Sequence, residues 1–108
     1  MKQQLFEWMQ QHEEIFSQMA KQIWDNPQLG YEEIFASSLQ QDVLKKEGFE
    51  IVTPIGDVQT AFYAQWGSGS PIIGFLGEFD ALPGLSQQVS SRYSPVEEGA
   101  PGHGCGHN

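Results

Sequence analysis

The chain has 108 residues, of which 39% are hydrophobic, with fourteen acidic against five basic residues and a formal net charge of -9. That balance argues against a nucleic-acid partner, since phosphate binding needs clustered Lys and Arg and only Lys45 and Lys46 are adjacent. One cysteine permits no internal disulfide and fits a reducing compartment, no apolar run approaches the ~20 residues of a membrane span, and Met1-Lys2-Gln3-Gln4-Leu5 lacks the apolar core of a signal peptide, so the expectation is a soluble, cytoplasmic protein of one small domain with no membrane partner.

Leu5, Met9, His12, Phe16, Met19 and Ile23 recur at steps of three and four, with Trp8 and Ile15 beside them. This spacing predicts a helix whose apolar stripe packs on a core, a commoner use of such residues than a cofactor box. Asp25-Asn26-Pro27 should end it, because proline disfavours α geometry in the residue before it. After Gln28-Leu29-Gly30 a second helix is predicted, with Glu32 and Glu33 in its first turn. Ile34, Phe35, Leu39, Val43 and Leu44 form its apolar side, Lys45 and Lys46 lie in its last turn, and Gly48 follows it.

Beyond Gly48 the period changes to two. Phe49–Thr53 and Gln59–Trp66 read as strands of an antiparallel hairpin, with Gly56-Asp57 as a turn. Ala61, Tyr63 and Gln65 fall on one face, and Phe62, Ala64 and Trp66 on the other. Pro71–Leu76 is nearly all apolar, as expected of a strand buried on both faces. From Gly77 onward Gly, Pro and Ser interrupt every period, which predicts a long loop, mobile from about Leu85 to Asn108.

Two clusters in this region carry chemistry. Glu78 and Asp80 follow the apolar run, and alternation places them on one side, where a carboxylate pair can orient a metal-bound histidine or hold a proton. His103, Cys105 and His107 alternate with Gly104 and Gly106. Thiolate and imidazole suit borderline divalent ions, although zinc takes four ligands and two cannot complete a site. A buried structural cysteine and a glycine-rich tail with solvated histidines are the alternatives.

Taken in order, these pieces resemble the aminoacylase and carboxypeptidase type of metallo-amidohydrolase, peptidase family M-twenty. Asn26-Pro27-Gln28-Leu29-Gly30-Tyr31-Glu32-Glu33 is similar to the family's N-P-E-L-G-Y-E-E element, with Gln28 replacing Glu. Gly48-Phe49 and Thr60-Ala61-Phe62 fall in the expected order. Glu78-Phe79-Asp80-Ala81-Leu82-Pro83 resembles the D-A-L-P block, and His103-Gly104-Cys105-Gly106-His107-Asn108 resembles the H-A-C-G-H-D block. The spellings around both blocks look more like p-aminobenzoyl-glutamate hydrolase-type members, with their Cys-Gly-His metal motif, than like typical aminoacylases.

The resemblance implies an α/β fold. Residues 1–108 would be the N-terminal portion of a three-layer metallopeptidase catalytic domain, with two helices, a β-hairpin, a buried strand and a metal-site loop. The rest of that domain and a dimerisation domain would lie outside them. It implies two divalent ions (Mn, Zn, Co or Ni), with Cys105 and His107 as ligands and Asp80 supporting the catalytic site. Small N-acyl amino acids or peptides, including aminobenzoyl-glutamate-like compounds, would be the substrates, and the full-length protein would be a homodimer. His103 is not carried over as a ligand, and a supporting role behind the ligands is open to it. Asn108 replaces the usual Asp, and the family's glutamate pair and further histidine ligands are not among these residues, so residues 1–108 alone are expected to be inactive. The alternative functions are a non-catalytic metal-binding or interaction module derived from the same fold, and a cysteine hydrolase using Cys105 with His103 or His107. The flanking glycines position a nucleophile poorly for the latter.

Overall fold

Proline geometry sets the first boundary. In the computed structural model, which describes Met1–Asn108, helix α1 spans Lys2–Asp25 and stops before Asn26-Pro27. The Asn26 side-chain amide donates to the Gln22 carbonyl at 2.9 Å and its backbone N–H to that of Ile23 at 3.1 Å, so the helix end is satisfied locally. Only the C-terminal end of the α1 stripe is covered. Ile23 is buried and Met19 half-buried, whereas Leu5, Met9 and Phe16 are exposed. Core packing therefore does not run the length of the stripe as the periodicity suggests, because the rest of the chain reaches only the last turns of α1.

Helix α2 spans Ile34–Lys46. Glu32 and Glu33 precede it instead of occupying its first turn, and its start is secured from a distance. The Gln28 side-chain oxygen accepts the Phe35 N–H at 2.7 Å. Its innermost positions are Ala36 and Ser37. Leu39, Val43 and Leu44 are half-buried, while Ile34 and Phe35 are exposed, so the buried face is rotated from the expected one. The C-terminus closes as anticipated at Gly48, with φ at 86°. Gly48 N–H donates to Lys45 and Phe49 N–H to Leu44, the two bonds of a Schellman motif.

Strands β1 (Glu50–Val52) and β2 (Tyr63–Gln65) pair antiparallel, with Ile51 opposite Ala64. These two residues face inward, half-buried, and their neighbours along each strand face solvent. The Gly56-Asp57 turn is closed by a bridge between Ile55 and Val58. Buried polar contacts fasten α2 to the segment leading into β2. Ser37 Oγ donates to the Thr60 carbonyl at 2.7 Å, and Thr60 Oγ1 donates to Glu33 Oε2 at 2.8 Å.

Pro71–Leu76 is not a buried strand. It has no regular structure, and Ile72, Ile73, Phe75 and Leu76 are 75–98% exposed. A strand buried on both faces needs paired edges and covering layers, and no element of residues 1–108 supplies either. The remainder, from Gly77, lacks helix and strand as its composition implies, yet it is tied down at several points. Ala81 forms a parallel bridge with Leu29, and Leu82 pairs with Gly102 through two hydrogen bonds of 3.1 Å. Phe79 stacks on Phe62 with centroids 6.2 Å apart. Asn108 donates to the Ala20 carbonyl of α1 at 3.2 Å.

Candidate metal centre

The bridge at Leu29 decides where the first cluster lies. Ala81 N–H donates to the Gln28 carbonyl at 2.8 Å, which lays the Glu78–Leu82 segment along the Gln28-Leu29-Gly30 element. Ala81 is 1% exposed, so the segment is anchored at its midpoint. The Leu82–Gly102 pair then brings the second cluster alongside. Here glycine is obligatory on steric grounds. A Cβ on Gly102 would overlap the Leu85 carbonyl and the Ser86 Cα. Gly104 N–H donates to that same Leu85 carbonyl at 3.1 Å. Gly106 has φ at 87°, a conformation that turns the chain toward His107.

The result joins Glu78, Asp80 and His107. His107 Nδ1 lies 2.9 Å from Asp80 Oδ1, and His107 Nε2 lies 3.1 Å from Glu78 Oε2. The three donor atoms all lie within 4.8 Å of one another. The Asp80 hydrogen bond, aided by the charges of Glu78 and Asp80, raises the His107 pKa above its ordinary 6.5 against the opposing pull of partial burial. Each ring nitrogen faces a carboxylate, so the arrangement as it stands favours the doubly protonated ring.

The donor set fits a divalent ion. A carboxylate on Nδ1 fixes the tautomer and leaves Nε2 as the ligating nitrogen, the usual arrangement around metal-bound histidines. Asp80 is placed for the first role and Glu78 for sharing an ion with Nε2. Cys105, the other ligand expected from sequence, is half-buried and stands outside the three-residue group; its Sγ is 3.9 Å from the Asp80 carbonyl oxygen. Glu78 and Asp80 both reach His107, on opposite ring nitrogens, although the segment lacks the strand geometry on which alternation was expected to place them on one side. The sequence pairs Glu78 with Asp80 as carboxylates able to orient a metal-bound histidine, whereas the resemblance carries over Asp80 alone.

His103 is the third donor of the run and is not carried over as a ligand. It is 2% exposed, and neither ring nitrogen has a hydrogen-bond partner. Burial lowers its pKa, the charge of His107 lowers it further, and Asp80 opposes both.

No family model matches the chain. It is 42% identical over 94 residues to one of the subunits of the p-aminobenzoyl-glutamate hydrolase of Escherichia coli, covering 86% of this chain and 20% of that protein. It is 31% identical over 93 residues to the hippurate hydrolase of Campylobacter jejuni, covering 86% and 24% respectively. It is also 31% identical over 103 residues to the human Xaa-Arg dipeptidase, covering 83% and 20%. The chain thus spans between a fifth and a quarter of the length of these curated relatives. Their names support an amidohydrolase family of the M-twenty type.

Proposed function

We propose that residues 1–108 are the N-terminal part of a metal-dependent amidohydrolase of the M-twenty type, contributing one wall of its metal centre. The observation that carries this reading is His107 held between Asp80 and Glu78, in a chain whose relatives are amidohydrolases and a dipeptidase. His107 and Cys105 would hold divalent metal, with Asp80 orienting the His107 ring and Glu78 available as a further oxygen donor. A bound ion of this class polarises a carbonyl and lowers the pKa of water. Among manganese, zinc, cobalt and nickel, the thiolate and imidazole favour the later members of the series, and the carboxylates accept manganese.

Asp80 is a positioning residue in this scheme. Its carboxylate accepts a hydrogen bond from Nδ1 and so presents Nε2 in a fixed direction. A base that takes a proton from water and returns it to the leaving amine must stand clear of that role, and residues outside 1–108 would supply it. The substrates would be small N-acyl amino acids or peptides, including compounds like aminobenzoyl-glutamate, and the full-length protein would act as a homodimer.

The test uses the full-length protein, stripped of metal, reconstituted with each of the four ions and offered a panel of N-acyl amino acids and aminobenzoyl-glutamate. Metal-dependent amide cleavage that falls with Cys105→Ala and His107→Ala is the expected result. Metal uptake without cleavage of any member would favour a binding module, and cleavage by the metal-free protein would contradict the reading.

A further inference from the structure

Of the buried polar side chains, His103 alone has ring or functional-group atoms that are both sequestered and unpartnered. A neutral imidazole offers one donor and one acceptor. Burying both without partners is costly, and native chains pair such groups with protein or ordered water almost without exception. Gly102 on one side and Gly104 on the other are packed against the Leu85 carbonyl, so the backbone holds the ring in place without using its nitrogens. The His103 carbonyl accepts the Gly106 N–H at 2.9 Å, which ties the residue into the turn that carries Cys105 and His107. A rigidly placed, unsatisfied imidazole beside a cluster of metal donors has the character of half of a hydrogen bond.

We propose that His103 is a positioning residue of the metal centre, its buried ring kept as the seat for an oxygen-bearing group that enters with the bound ion. The inference rests on the metal-centre reading of Cys105 and His107. It assigns a role to the first member of the His-Gly-Cys-Gly-His run that the ligand roles of the other two leave open. His103 would be indifferent or mildly harmful to the metal-free fold, and would matter once an ion is bound.

That pairing of effects gives the test. The 108-residue chain is titrated with cobalt(II), following the sulfur-to-cobalt absorption band and the apparent Kd by equilibrium dialysis, and its thermal unfolding is measured without metal. His103→Phe should leave the metal-free Tm unchanged or raised, while weakening cobalt binding about 10–100-fold, the usual cost of losing such a supporting group. His103→Gln, which keeps a donor and an acceptor, should stay near the parent Kd. A folded His103→Phe protein with the parent Kd would overturn the inference, as would a fall in metal-free Tm in both variants with no change in Kd. If the parent takes up no cobalt, or if Cys105→Ala and His107→Ala bind it as well as the parent, the underlying metal reading fails and this inference falls with it.

Discussion

The Ala81 N–H donates to the Gln28 carbonyl at 2.8 Å, and through this bond the element preceding α2 carries the segment that holds Glu78 and Asp80. Ala81 is buried to 1% exposure and has no room to grow. Ala81→Leu should destabilise the chain by about 1–3 kcal/mol, as overpacked cores do, and should loosen the Asp80–His107 contact as the segment shifts. Denaturant unfolding checks the first effect and the His107 ring NMR signals the second. Wild-type stability with unmoved His107 signals would contradict this anchoring role.

Thr60 and Glu33 make the corresponding link on the other side of α2. Thr60→Val removes the hydroxyl that donates to Glu33 Oε2 at 2.8 Å and leaves a buried carboxylate short of a partner. The expected loss is about 1–3 kcal/mol, because an unsatisfied buried acceptor forfeits its hydration. Urea unfolding at neutral pH measures it. A change within about 0.5 kcal/mol, as at an ordinary surface site, would show that the bond is dispensable.

Protons and metal should pull on His107 in opposite directions. Its folded pKa is raised above 6.5, chiefly by the Asp80 hydrogen bond. The contribution of the charged ring to metal-free stability is therefore fully present below pH 6.5 and is lost as pH rises through the raised folded value. Metal needs the ring to shed that proton, so metal affinity should rise with pH across the same window. The measurement is the parent-minus-His107→Ala difference in unfolding free energy against pH, alongside cobalt Kd values at each pH. A difference that grows with pH above 6.5 would contradict the first sign, and affinity that falls would contradict the second.

Much of this was legible in the sequence where the cause is local. Asn26-Pro27 ends α1, Gly48 supplies the left-handed residue that closes α2, and alternation past Gly48 marks the hairpin, each decided within a few residues of chain. Glu78 and Asp80 do share a partner in His107, but in irregular backbone, so a two-residue period does not account for it. What was not legible depends on distant partners. Pro71–Leu76 is apolar enough for a central strand, but strand structure requires neighbours, and these residues have none within the chain described. The α1 stripe has helical spacing along its length, yet spacing cannot say how far the covering elements reach. Gln28 looked like a departure from a motif and turned out to cap α2, a contact that only the folded turn creates.

Residues 1–108 by themselves should hydrolyse no amide substrate. The cluster offers His107, Asp80 and Glu78 with Cys105 nearby, and amide cleavage also needs a base and a held carbonyl. The check is an assay of the purified chain, loaded with manganese or zinc, against N-acyl amino acids. Metal-dependent turnover that vanishes with Cys105→Ala would show that these residues hold a complete catalytic set.

X-ray absorption of the zinc-loaded chain reads most directly whether Cys105 and His107 share a divalent ion with Asp80 behind the ring. A shared site should give a sulfur shell at about 2.3 Å together with nitrogen and oxygen at about 2.0–2.2 Å, the sulfur shell disappearing in Cys105→Ala. Zinc bound at the same stoichiometry with only nitrogen and oxygen neighbours in the parent chain would contradict it.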